Sequence, residues 1–120
     1  MSQRARQVAE ELKKIVSRIL LEDLSDPRMG FVTITHVEIT DDLRFARVYY
    51  SVLGTDLEQR TTEEAFEDNK TLLRRLAVQR INMKYAMDIR FEHDRSIEHG
   101  FHIDDILKKI KKQPKPDDAA

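Results

Sequence analysis

The sequence predicts a single α+β domain, a small sheet with helices on one face, in the order helix, strand, strand, helix, helix, strand. Three observations lead there. Apolar residues recur at helical spacing near the N-terminus, two β-branched and aromatic-rich segments follow across a short acidic turn, and a long helical stretch precedes a third alternating run. With 120 residues, 40% of them apolar, the chain has enough for one core and not for two.

Val8, Leu12, Ile15 and Ile19 fall at i, i+4, i+7 and i+11, with Val16 and Leu20 widening the stripe, which is the period of an amphipathic helix. Burying each of these side chains gains about 1.5–3 kcal/mol, whereas ordering the backbone costs about 1–2 kcal/mol per residue, so the helix is stable only against a sheet. Asp26-Pro27 stops it, because proline pushes the preceding residue out of the helical region.

Residues 31–39 and 44–53 read as strands. In the second, Ala46, Val48, Tyr50 and Val52 alternate with Arg47, Tyr49 and Ser51, giving one buried face. In the first, Val32 and Ile34 change phase to Val37 and Ile39, which a period-2 element achieves by inserting one residue; a β-bulge is expected near Thr35 or His36. Thr40-Asp41-Asp42-Leu43 is short and polar enough to join the two as a hairpin.

Thr61-Thr62-Glu63-Glu64 offers a capping box that starts a helix at Thr61. The polar stretch Glu67-Asp68-Asn69-Lys70-Thr71 is where two helices meet at an angle, the alternative being one continuous helix. Met87-Asp88-Ile89-Arg90-Phe91 alternates as a third strand. Ile103, Ile106, Leu107 and Ile110 suggest a last helical turn or two. Residues 1–110 are expected to form the domain and 111–120 a tail too poor in apolar surface to fold.

Net charge is −1 and the isoelectric point about 6.4, so any hold on a nucleic acid rests on local charge. That charge is divided: residues 56–68 carry six acids against Arg60, while 70–84 carry Lys70, Arg74, Arg75, Arg80 and Lys84 and no acid. Five phosphate contacts would make the logarithm of affinity fall with log salt at a slope of roughly 3.5–4.5. The plainer reading is that acids early and bases late offset the helix dipole, each by about 0.3–1 kcal/mol. Arg6 and Lys13 on the first helix extend the candidate patch, as does Arg28 after the helix stop. Cysteine is absent, the N-terminus lacks a signal-peptide pattern, and no apolar run approaches a membrane span. A cytoplasmic monomer without membrane, metal or cofactor is expected. His99-x-x-His102 with Asp104, and His93 with Asp94 and Ser96, are crowded into one polar segment and make a poor metal site and a poor hydrolytic trio.

The element order is one of the two chain orders of K-homology RNA-binding domains, the type II order. The residues go further: Asp26-Pro27-Arg28, Val32-Thr33-Ile34-Thr35-His36-Val37-Glu38, Asp42-Leu43, Val48-Tyr49, Val52-Leu53-Gly54, Leu73-Arg74, Met83-Lys84, Asp94, Ser96, Gly100 and Ile103 together. In this combination the chain resembles the ribosome-binding factor A family. The resemblance implies a KH-like fold without catalytic activity and a factor that binds the immature small (30S) ribosomal subunit. It further implies assistance to late 16S rRNA maturation, including the 5′ region, and a role in cold adaptation, with an assembly GTPase as a candidate further partner. Family members lack the GxxG clamp and carry an Ala-x-Gly kink between the middle helices; here that place reads Asn69-Lys70-Thr71, and the family's proline before the last strand is Met87. The rival reading is a protein-binding adaptor that uses the acidic 56–68 segment or a sheet edge.

Overall fold

The structure is a computed structural model and describes residues 1–84 and 86–94. Helix α1 (Gln3–Glu22), strands β1 (Phe31–Ile39) and β2 (Phe45–Leu53), helix α2 (Asp56–Ile81) and strand β3 (Asp88–His93) succeed one another. The sheet runs β1-β2-β3, antiparallel between β1 and β2 and parallel between β2 and β3. Both helices cover one face of it, α1 chiefly over β1 and α2 over β2 and β3.

Ser2 caps α1 by accepting the Ala5 amide at 3.1 Å, and Val8, Leu12, Val16 and Ile19 are buried, so the periodic stripe is the core face. The helix ends at Glu22, before Asp26-Pro27 is reached. The phase change in β1 is the expected bulge. Ile34 pairs with Tyr50 and His36 with Tyr49, leaving Thr35 as the inserted residue. Its hydroxyl donates to the Asp94 carboxylate at 3.0 Å, so the bulge ties the end of β3 across the sheet. In the hairpin turn Leu43 adopts a left-handed backbone (φ 63°) and donates its amide to Thr40 O at 2.8 Å.

The middle of the chain departs from expectation in two ways. The capping residue is Thr55 and not Thr61: Thr55 Oγ1 accepts the Glu58 amide at 3.2 Å and Glu58 Oε1 accepts the Thr55 amide at 2.7 Å. Gly54 permits this box, since a methyl group there would lie 3.0 Å from Glu58 Cβ and 2.9 Å from its Oε1. Thr61 is interior to the helix and donates to Leu57 O. From Thr55 the helix runs unbroken to Ile81, so one helix takes the place of the two expected, the continuous form that the sequence also allowed. The break fails to occur because its polar residues are used elsewhere. Asn69 Nδ2 donates both to Ala65 O at 2.8 Å and to Asp26 Oδ2 at 2.9 Å, and Asp68 accepts from Arg28 at 2.8 Å. Asn69 bonds its own helix without breaking it, and with Asp68 it also holds the α1–β1 connection.

Helix α2 ends on Asn82, whose left-handed backbone (φ 52°) suits a helix C-terminus. Met87, in the place of the family proline, is buried in the core. The last helical turns, the tail, Ser96, His99, Gly100 and His102 lie outside the described residues.

Candidate nucleic-acid interface

Strand β3 is a sheet edge, and α2 runs beside it. Between them lies a groove of about 380 Å³ lined by Glu63, Glu67, Lys70 and Arg74 of α2 and by Arg90 and His93 of β3. The four α2 residues fall at i, i+4, i+7 and i+11, one strip flanking the buried stripe of Phe66, Leu73 and Ala77. The acids and bases that look segregated along the sequence thus share one strip, acids at one end and bases at the other, and pair where they meet other groups. Lys70 Nζ meets Glu67 Oε2 at 2.5 Å, and His93 Nδ1 meets Glu63 Oε2 at 2.6 Å. Arg74 is half-buried and donates its Nε–H to Ile89 O at 2.6 Å, satisfying an edge-strand carbonyl that would otherwise lack a strand partner. Its side chain still lines the groove. The groove floor is aromatic: Tyr50 stacks on Phe66 at 3.8 Å and on the His93 ring at 5.2 Å, and Phe66 tilts against Phe91 at 5.8 Å.

The other candidate bases are dispersed. Arg75 is exposed and, one residue beyond Arg74, points roughly 100° further around the helix. Arg80 is held at 2.8 Å by Asp23 at the end of α1; that hydrogen bond raises the guanidinium pKa and lowers that of the carboxyl. Lys84 lies just past the helix and is exposed. Arg28 is a structural hub. Its Nε and Nη2 clasp both oxygens of Asp26 at 3.1 and 2.8 Å while Nη1 reaches Asp68 at 2.8 Å. The Arg28 side chain and amide, with Asn69, hold the Asp26 carboxyl far below the usual carboxylate range. On α1, Arg6 is exposed, and Lys13 lines a different groove between α1 and β1. Lys13 thus flanks the opposite sheet edge from Lys70 and Arg74. The structure brings Lys70 and Arg74 together, sets Arg75 further around α2 and Lys84 past its end, and engages Arg28 and Arg80 in ion pairs.

Sequence reasoning missed the groove's Arg90 and, outside the groove, two buried polar residues of α2. Thr62 is fully buried, donates to Glu58 O at 2.9 Å and accepts the Gly30 amide at 3.3 Å, pinning the start of β1 to α2. Gln59 is likewise buried and donates to Gly54 O at 3.0 Å. Both were visible as polar residues in step with the apolar stripe Phe66, Leu73 and Ala77.

Among the described residues no group of three His, Cys, Asp or Glu side chains could hold a metal, and no helix is long and apolar enough to cross a membrane. Fold and groove together define a KH-like α+β binding module, with an unbroken helix where a glycine clamp would lie. Comparison with known proteins takes this to the particular family. The ribosome-binding factor A family profile matches residues 4–107, and the chain belongs to that family. A ribosome-binding factor A of Geotalea uraniireducens is 39% identical over 118 residues, spanning 98% of this chain and 97% of its own. The solution NMR structure of a Thermotoga maritima protein shares 34% identity, covering 82% of this chain and 93% of that one, at a TM-score of 0.67. The Thermus thermophilus ribosome-binding factor A, as fitted into a cryo-EM map of its 30S complex, covers 77% of this chain and 96% of its own with a TM-score of 0.61. At 20% identity it is similar in fold alone.

Proposed function

We propose that this protein is a non-catalytic assembly factor of the cytoplasm that binds the immature small ribosomal subunit and assists late 16S rRNA maturation, including that of the 5′ region. Membership of the ribosome-binding factor A family over residues 4–107 carries the reading. The 30S complex of the Thermus thermophilus protein supports the choice of partner. The physical contribution of this chain is the α2–β3 groove and its rim. Because Arg28 and Arg80 are engaged by Asp26, Asp68 and Asp23, Lys70 and Arg74 carry phosphate contacts at the groove and exposed Arg75, further around α2, carries a third. Three such contacts give a slope of log affinity against log salt of roughly −2 to −3. On approach of a phosphate, Lys70 exchanges the exposed Glu67 for it, a pair worth little at the surface.

The test is charge reversal of Lys70, Arg74 and Arg75 together, with binding to immature small subunits measured at low salt and folding checked by thermal unfolding. Binding should fall steeply. Unchanged binding by a folded variant refutes the assignment, and association that ignores salt and survives ribonuclease transfers it to a protein-binding adaptor using the acidic 56–68 segment.

A further inference from the structure

Val37, Ile39, Ala46, Val48 and Ile89 turn toward the helices and are buried, so the alternate positions, among them His36, Phe45, Tyr49 and Arg90, turn to the other side of the sheet. A groove of about 580 Å³ opens there. Phe45, 55% exposed, and His36 are among its walls, with Asp88 and Arg90 at the β3 edge. Most charged groups of this face hold aromatic rings. Glu38 Oε2 meets His36 Nε2 at 3.0 Å, and Glu38 Oε1 accepts the Tyr49 hydroxyl at 3.3 Å. Arg47 donates to the same hydroxyl at 3.4 Å and pairs through Nε with Glu92 at 3.1 Å. The His36 and Tyr49 rings lie 5.1 Å apart. Arg47 and the two glutamates offset one another, so this aromatic surface carries no net positive charge and its rings are set before anything binds.

Arg90 differs from Arg47. Its carboxylate neighbour Asp88 is 3.7 Å away and its side chain is 68% exposed. It also lines both this groove and the α2–β3 groove of Lys70 and Arg74, so the two are continuous around the β3 edge. Asp88 is the register partner of Phe45, and Arg90 that of Arg47. One strand spacing, about 4.8 Å, separates the β3 edge from the β2 row that carries Phe45. A polyanion whose phosphates lie along Lys70 and Arg74 therefore meets Arg90 at the edge, and past the edge it meets fixed rings without net positive charge. An unpaired nucleotide fits that sequence of surfaces, because its base stacks on an aromatic ring while its phosphate stays on a guanidinium. A duplex does not, since its bases are already stacked on one another.

We propose that the open sheet face binds an unpaired nucleotide of RNA, with Phe45 as the stacking ring and Arg90 as the phosphate contact. The class of ligand rests on the reading of this chain as an RNA-binding assembly factor, and the site extends that reading around the β3 edge. Amide chemical shifts of the full chain, titrated with a short oligoadenylate, test it. Residues 45–49 and 88–92 should shift, whereas an RNA duplex should leave residues 45–49 in place. Phe45→Ala, at an exposed position, should weaken oligoadenylate binding on the order of tenfold. Phe45→Tyr should retain it and Phe45→Leu should not. Arg90→Ala should flatten the slope of log affinity against log salt by about 0.7. Shifts confined to the α2–β3 groove, no binding by the folded parent, or leucine serving as well as tyrosine overturns the proposal. Retention on small subunits that falls in Phe45→Ala yet survives ribonuclease overturns it in favour of a protein partner. If reversal of Lys70, Arg74 and Arg75 abolishes small-subunit binding while Phe45→Ala changes nothing, the platform falls and the assembly reading stands.

Discussion

Replacing Thr62 by valine probes how the α1–β1 connection is held to α2. Valine matches threonine in volume, so no cavity opens, and the change reduces to hydrogen bonding. The donation to Glu58 O at 2.9 Å is lost, about 0.5–1.5 kcal/mol, and the Gly30 amide loses its acceptor at 3.3 Å, about 1–3 kcal/mol if no water replaces it. Gly30 is itself exposed, which moves that second figure to its lower end, and the buried methyl returns about 0.8 kcal/mol. The net loss is about 1–2 kcal/mol, or roughly 4–10 °C in Tm for a domain of this size. Urea and thermal unfolding followed by circular dichroism measure it. Hydrogen exchange at Gly30 supplies the specific readout, accelerated in Thr62→Val and not in Thr62→Ser, which keeps the hydroxyl. A valine variant within about 0.5 kcal/mol of the parent, with Gly30 exchange unchanged, would refute the reasoning.

Other consequences are open to the same methods. Thr55→Ala should cost about 1 kcal/mol in urea unfolding and Thr61→Ala clearly less; the reverse order would place the helix start at Thr61. Phe66→Ala removes a buried ring stacked at 3.8 Å on Tyr50 and should cost about 3–5 kcal/mol, with a smaller loss showing that the groove floor collapses onto itself. The depressed Asp26 carboxyl contributes stability that is fully present above its ordinary pKa of 3.8 and drains away as pH falls below it. Acid unfolding of Asp26→Asn should therefore depend less on pH below about 4 than that of the parent, and parallel curves would deny the carboxyl this role.

Most of the fold was legible because its signals are local. The α1 stripe, the phase change at Thr35 and the alternation of β2 each reflect a period that only one element satisfies. The start of α2 was not, because Thr55/Glu58 and Thr61/Glu64 offer the same capping pattern, and what decides between them is tertiary: the end of β2 and the room left by Gly54 beside Glu58. Nor was the unbroken helix, since Asp68 and Asn69 look like helix breakers until Arg28 and Asp26 are found opposite them. The candidate site was legible as composition and not as geometry. Bases adjacent in sequence diverge around a helix, so Arg74 and Arg75 part company, whereas Glu63 and Glu67, counted with the acidic half, share a strip with Lys70 and Arg74. Arg28 matched the family pattern, yet nothing in the sequence distinguishes a guanidinium that braces a turn from one that meets a phosphate.

The most direct measurement is co-sedimentation with small subunits, large subunits and whole ribosomes across a salt series. The account predicts retention by immature small subunits, little by large ones, and log affinity falling with log salt at a slope of roughly −2 to −3. Equal retention on large subunits, or a slope near zero, would contradict it.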